Sequence, residues 1–305
     1  MLTDLLSLVE KIPQEDYPAS SRVHRLKTLD AYVKRDDELG FGISGSKIRK
    51  YRSLIPELRK FSEVFVIGGP NSNHVAGIVQ LLIENGISYR LFLREGYGSG
   101  INGKVIKLMT PDSQVSVVSR DDWSKVESIA QKQAGPETFV LQEGGSVPAS
   151  LPGALTLPLD IVKNESEFDH IFIDAGTGLM SIALILGMAF MSKPGIVHVL
   201  LLAGSEEGFI EKLNGFHKDF EKMFDVQCPF PENFCLRFPT NAKSFGATNR
   251  ALFKEIQIVA ETEGFLVDPI YSGKLFYEAR RLIPGLSGSK LIIHSGGAAP
   301  LFGFL

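Results

Sequence analysis

Cysteine is scarce: Cys228 and Cys235 are the only 2, separated by a six-residue gap. Two thiols are too few for a disulfide framework, and that gap is not a zinc-ligand spacing, so a reduced, cytoplasmic protein is expected. No charge of one sign dominates, with 32 basic residues against 35 acidic ones and a formal net charge of -3. That balance leaves no electrostatic footprint for nucleic acid and points to a small-molecule partner. Long apolar runs are missing too. The longest, Leu179 to Met191, is too short to span a bilayer, closes at Lys193-Pro194-Gly195 and reads as a buried helix, so no membrane association is expected. Met1 to Pro13 carries Asp4 and Glu10 among its apolar residues and lacks the basic-then-apolar order of a signal peptide. No internal repeat or low-complexity segment stands out, and there is no G-x-S-x-G nucleophile elbow.

The chain does hold enough apolar residue, 44% of 305, to bury a substantial core, at a length where one core commonly splits into two lobes. Apolar, β-rich runs alternate with helical segments. These runs are Val64 to Ile67, Tyr89 to Leu93, Val115 to Ser119, Phe139 to Gln142, Ile171 to Ile173, Ile196 to Leu202 and Leu291 to His294. The alternation predicts an α/β fold of open, parallel sheets with flanking helices. After the first run, Val75, Ile78, Val79, Leu82 and Ile83 keep a 3.6-residue period, the mark of a helix with one packed face. Boundaries near residue 48 and at the Pro152-Gly153 turn divide the chain into a discontinuous large domain, 1–47 with 153–305, and a smaller inserted domain, 48–152. Residues 225–248 read as irregular.

Four apolar runs end in glycines: Gly68-Gly69, Gly144-Gly145, Gly176-Thr177-Gly178 and Gly296-Gly297. In open parallel sheets ligands bind outside the carboxyl ends of the strands, so these turns are expected to converge on one cleft. Gly40 to Gly45 matches G-x-G-x-x-G, but the charged Lys34 to Glu38 before it makes a poor buried strand, which disfavours a dinucleotide site. A nucleotide P-loop fails because Ser46 separates Gly45 from Lys47 and Ile48 follows the lysine. Lys47, Arg49 and Lys50 read either as a solvated basic face or, through Lys47, as an amine nucleophile. The positive end of a helix dipole favours the neutral amine and hence imine chemistry. Gly176, Thr177 and Gly178 suit a phosphate at a helix N-terminus or are an ordinary strand-to-helix turn, with Asp174 slightly disfavouring an anion. His74 has no second ligand at a helical spacing, so no metal is expected. Tyr271 and Ser272 read as a core aromatic and an N-cap, or as polar walls of the cleft.

Together these stretches resemble the fold-type II pyridoxal-phosphate enzymes that include 1-aminocyclopropane-1-carboxylate deaminase and D-cysteine desulfhydrase. The resemblance is carried by Lys34-Arg35-Asp36-Asp37, Gly45 to Lys50, Gly68 to His74, Asp268 to Lys274 and His294 to Gly297, in family order from about residue 31 onward. It implies a two-domain, tryptophan synthase β-subunit-like fold and pyridoxal 5'-phosphate held on Lys47 as a Schiff base. It further implies Asn73 on the cofactor's ring oxygen and Gly176, Thr177 and Gly178 around its phosphate. Ser272 becomes the pyridine-nitrogen partner. The substrate, a small amino acid, would meet Ser72, Asn73 and His74, with Tyr271 as its acid, base or electrostatic partner. Catalysis is assigned to Lys47, Ser72 and Tyr271, and a homodimer is implied.

Where the cyclopropane deaminases carry a glutamate, this chain has Ser272, which favours D-cysteine desulfhydrase-like β-elimination to pyruvate, ammonia and sulfide. The alternative is 1-aminocyclopropane-1-carboxylate deaminase. Phe245 stands where active members place a second tyrosine, the segment before residue 30 lacks the family's proline-flanked entry, and the phosphate turn runs on to Leu179 and Met180 in place of small or hydroxylic residues. Phe245 and the short entry keep a non-catalytic, ligand-binding or regulatory descendant as a third reading.

Overall fold

The apolar runs separate into two sheets. The computed structural model describes residues 2–40, 45–163 and 167–305. Its strands are β1 (Val23–Arg25), β2 (Tyr32–Arg35), β3 (Glu63–Gly68), β4 (Tyr89–Arg94), β5 (Val115–Val118), β6 (Thr138–Leu141), β7 (His170–Ala175), β8 (Ile196–Leu201), β9 (Phe234–Arg237) and β10 (Lys290–His294). The larger sheet runs β1-β2-β10-β7-β8-β9 and the smaller β5-β4-β3-β6. Every pairing is parallel except β1 with β2. Parallel neighbours need crossovers, and these are the helices.

The helices are α1 (Leu2–Glu10), α2 (Lys47–Leu58), α3 (Asn73–Glu84), α4 (Ile101–Met109), α5 (Val126–Gln133), α6 (Leu151–Ala154), α7 (Thr156–Lys163), α8 (Leu179–Phe190), α9 (Glu206–Phe224), α10 (Arg250–Glu263) and α11 (Ser272–Leu282). α8 is the long apolar run of the sequence, and nine of its residues are buried. In α3 the stripe Val75, Ile78, Val79 and Leu82 packs inward, while Ile83 turns 48% of its surface to solvent. No helix among the described residues is long and apolar enough to cross a membrane.

The larger sheet has a core on each face. Alternation along β7 sends Ile171, Ile173 and Ala175 toward α8 and α9, and Phe172 toward α10 and α11. Asp174 has the parity of Phe172, so it lies on the α11 face at the strand's carboxyl end.

Two expectations fail. Lys34 and Arg35, read as too charged for a buried strand, form β2 between β1 and β10. Pairing makes this tolerable. Lys34 Nζ bonds Asp160 and the Ser21 carbonyl, and Arg49 bonds Asp36 at 2.6 and 2.8 Å and Asp160 at 2.8 Å. Arg35 chelates Asp37 at 2.8 and 2.7 Å and lies over the Phe265 ring. Residues 225–248, read as irregular, contain β9, whose residues are half-buried at the sheet edge in register with β8. Phe41, Gly42, Ile43 and Ser44 of the glycine pattern lie outside the described residues.

Candidate active site

Lys47 is the first residue of α2. Gly45, at φ +52°, lets the chain turn into this helix with its Cα against the Ser295 carbonyl, which accepts the Ser46 N–H at 2.8 Å. Any side chain at Gly45 would collide with that carbonyl and carry left-handed strain. The Lys47 ammonium lies 5.7 Å from the Tyr271 ring centroid. Desolvation lowers its pKa, opposed by the charges of Asp174 and Asp268.

Arg49 and Lys50 are not a solvated face: both are buried. Arg49 belongs to the ion-pair network with Asp36 and Asp160 and also donates to the Ala19 and Thr156 carbonyls. Lys50 Nζ donates to the Gly144 carbonyl, and no carboxylate bonds it among the described residues. Desolvation and then the neighbouring Lys47 push its pKa well down.

The glycine turns do meet. Gly144 packs on the Thr177 side chain, and a Cβ on Gly145 would lie 2.6 Å from His74 Cε1. A Cβ on Gly297 would lie 2.7 Å from Asn73 Nδ2, and one on Gly176 would lie 3.0 Å from Tyr271 Cε1. Gly69 N–H faces the Glu143 carboxylate. One cleft at the carboxyl ends of both sheets thus contains Lys47, Lys50, Asn73, His74, Thr177 and Tyr271.

Ser72 caps α3: its Oγ accepts His74 N–H at 3.2 Å and Val75 N–H at 3.3 Å. Its own proton is left to donate. Asn73 Oδ1 accepts from Asn102, which also donates to the Asn71 carbonyl at 3.0 Å. This fixes the Asn73 amide with Nδ2 toward Gly297. His74 Nδ1 lies 2.9 Å from the Tyr51 hydroxyl, while its buried Nε2 bonds nothing among the described residues. Desolvation first, then Lys50 and Lys47, hold His74 well below its ordinary pKa, so it is a neutral ring.

Gly178 opens α8 with φ +97°. The N-terminus of that twelve-residue helix gives the turn a partial positive charge. Lys212 Nζ donates to the Thr177 carbonyl at 3.3 Å. Asp174, whose parity turns it to the α11 face, does not share this side of the strand.

Tyr271 precedes α11, edge-on to Phe245 at 5.9 Å. Desolvation, then Asp268, Asp174 and Glu143, raise its pKa, so it is a neutral phenol. Ser272 is buried, and its hydroxyl has two partners: it donates to Asp268 Oδ2 at 2.8 Å and accepts the Asp268 N–H at 2.9 Å. The Asp268 carboxylate also accepts the N–H groups of Ile270, Tyr271 and Ser272 at 2.7, 2.8 and 2.9 Å.

Asp174, Lys50 and Asp268 were not singled out by motif reading. Asp268 opens the stretch in which Tyr271 and Ser272 are the residues with an expected role. Asp174 stands two residues before the phosphate turn, and in sequence its carboxylate only disfavours an anion there. Its Oδ1 accepts the Ser295 hydroxyl at 2.9 Å, and desolvation raises its pKa to about 6. No group of three or more His, Cys, Asp or Glu among the described residues is placed to hold a metal ion.

No model of a known protein family matches the chain. It is 28% identical to a Pyrococcus furiosus protein provisionally named 1-aminocyclopropane-1-carboxylate deaminase, the match covering 96% of this chain and 93% of that protein. It is 24% identical to the D-cysteine desulfhydrase of Salmonella paratyphi A, over 97% of this chain and 93% of that protein. A crystal structure described as an ACC deaminase homologue superposes with a TM-score of 0.85 at 25% identity, covering 97% of this chain and 95% of that one.

Proposed function

We infer that this chain, homologous along nearly its whole length to proteins named 1-aminocyclopropane-1-carboxylate deaminase and D-cysteine desulfhydrase, is a pyridoxal-phosphate-dependent lyase or deaminase of a small amino acid. The observation that carries the reading is the Lys47 amine, at the start of α2 in the cleft where the glycine turns meet. Its lowered pKa favours the neutral form that imine chemistry needs.

The residues fit the cofactor. Lys50 is a buried amine with a carbonyl but, among the described residues, no anion for a partner, an arrangement that a phosphate dianion completes. Thr177 and Gly178 lie on the other side of Gly144, at the positive end of α8. Asn73 Nδ2, turned to Gly297 by Asn102, is a fixed donor for the ring oxygen. Gly176, lacking a side chain, lets the Tyr271 ring approach the backbone just ahead of this turn. When bound, the cofactor supplies an electron sink for the charge left at the substrate's α-carbon.

The chain's own residues do the rest. Lys47 Nζ would hold the cofactor and, for a substrate with an α-hydrogen such as D-cysteine, would be the base that takes that proton. Ser72 Oγ keeps its proton for the substrate carboxylate, beside the first N–H groups of α3. Neutral His74 and neutral Tyr271 border the remaining space without adding charge, and the Tyr271 hydroxyl is a proton donor to a leaving group. The two-lobe division at residues 47/48 and 152/153 is part of this proposal. It is supported by the placement of β3 to β6 in one sheet and all other strands in the second.

The preferred reaction is D-cysteine desulfhydrase-like, with sulfide, ammonia and pyruvate as products, because Ser272 offers a hydroxyl and no carboxylate. One observation favours ring opening of 1-aminocyclopropane-1-carboxylate instead: Asp174 brings a carboxylate to the same end of α11. Purified holoprotein offered D-cysteine and 1-aminocyclopropane-1-carboxylate in parallel, with sulfide and 2-oxobutyrate followed, decides between them. Sulfide release from D-cysteine supports the first reading, and 2-oxobutyrate alone reverses the preference. Turnover of neither refutes both assignments.

A further inference from the structure

The hydroxyl expected to face the cofactor's ring nitrogen is already committed. Ser272 gives its proton to Asp268 Oδ2 and receives the Asp268 N–H, a closed pair that is fully buried. It cannot donate to a ring nitrogen without giving up the Asp268 carboxylate, which would then lose one of its four bonds. Beside it stands a carboxylate with no such commitment. Asp174, the penultimate residue of β7, lies on the face that α11 covers, one pleat beyond Phe172, which shares a core with Leu275 and Phe276 of α11. Its Oδ1 is steadied by the Ser295 hydroxyl at 2.9 Å, and Oδ2 accepts no side-chain hydrogen bond among the described residues. Ser295 in turn holds the start of α2 through its carbonyl and the Ser46 N–H, so Asp174 and Lys47 are anchored to the same residue.

We propose that Asp174 is the ring-nitrogen partner of the pyridoxal phosphate, an acidic residue supplied by β7 in place of one supplied by α11. The proposal rests on the cofactor reading above. The charged and titratable groups that face Asp174 are Lys47 from α2, Asp268 ahead of α11 and Tyr271. None of the cations of the chain bonds its carboxylate among the described residues, so its charge is available to a pyridinium. Burial raises the cofactor-free carboxylate to about 6, and Lys47 only partly offsets that rise. On binding, one proton from water comes to the ring nitrogen and the carboxylate stays ionised. A nitrogen held protonated draws harder on the electron pair left at the substrate's α-carbon. A nitrogen held protonated by Asp174 strengthens the sink for β-elimination and for ring opening alike.

The test is the ¹⁵N chemical shift of the holoprotein reconstituted with pyridoxal 5'-phosphate labelled at the ring nitrogen, recorded at pH 8 beside the absorbance band of lysine-bound cofactor. The expected result is a pyridinium shift in the parent and in Asp174→Glu, and a neutral-pyridine shift in Asp174→Asn, with the absorbance band present in all three. A neutral nitrogen in the parent overturns the proposal without any variant. Loss of the pyridinium in Ser272→Ala but not in Asp174→Asn assigns the role to Ser272 and overturns it too. Absence of the band from the parent removes the cofactor reading itself, whereas a band with a neutral nitrogen removes only the role given to Asp174.

Discussion

Replacing Asp174 by asparagine should make the cofactor-free protein more stable at neutral pH, though it removes a charge from the cleft. Burial raises this carboxylate from 3.8 to about 6. Between those values the folded state holds the proton more tightly than the unfolded chain, so stability falls as pH climbs through the window and is level above it. At about 1.4 kcal/mol per pKa unit, the whole shift amounts to about 3 kcal/mol at pH 7. Partial solvent access to the open cleft reduces this to about 1–3 kcal/mol. Asparagine keeps an acceptor for the Ser295 hydroxyl and does not titrate, so it escapes the penalty. With an unfolding entropy of about 2 cal/mol/K per residue, a chain of 305 residues would gain about 2–5 °C in Tm. Urea unfolding of parent and Asp174→Asn at pH 4 and pH 7 is the assay, with the difference near zero at the first pH and full at the second. A parent at least as stable as the variant at pH 7, or a gap equal at both pH values, would refute the reasoning.

Three further outcomes follow from the same geometry. Lys50→Ala should weaken pyridoxal 5'-phosphate by about 10- to 100-fold, the worth of a charge-assisted bond, while leaving pyridoxal, which lacks the phosphate, much less affected. Equal losses for the two ligands in equilibrium dialysis would remove Lys50 from the phosphate site. Arg49→Met breaks the network with Asp36 and Asp160 and should cost about 3–5 kcal/mol in urea unfolding, because the buried Asp36 carboxylate loses its two-pronged cationic partner while Asp160 keeps Lys34. Phe245→Tyr puts a hydroxyl on a ring 5.9 Å from Tyr271 and should raise kcat by up to about 100-fold; an unchanged kcat would show that this position carries no proton-transfer role.

Much of the larger plan could be read from residue types. The seven apolar runs became strands because their β-branched and aromatic residues have no other way to be buried in a parallel sheet. The glycine turns pointed to a cleft because close backbone approach has few other uses. What escaped was charge made buriable by partners remote in sequence. Lys34 sits in β2 because Asp160, 126 residues away, neutralises it, and no local pattern records that pairing. The same holds for Arg49 and Lys50, adjacent in sequence but turned to different partners: one to a closed ion-pair network, the other to a lone carbonyl. β9 was missed because its four residues are half-buried at the sheet edge, between segments rich in proline and polar residues. Asp174 was visible but weighed against the wrong neighbour, since the alternation that turns it from the phosphate turn toward α11 shows only once the strand's two faces are known.

The central claim is that Lys47, and no other lysine of this basic segment, carries the cofactor. Borohydride reduction of the pyridoxal-phosphate-loaded protein followed by peptide mass mapping tests it directly, because Lys47 and Lys50 stand one helical turn apart in the same cleft. The account predicts a phosphopyridoxyl group on Lys47, retained at that position in Lys50→Ala, and no lysine-bound absorbance band in Lys47→Ala. A label on Lys50, or a band that survives in Lys47→Ala, would contradict it.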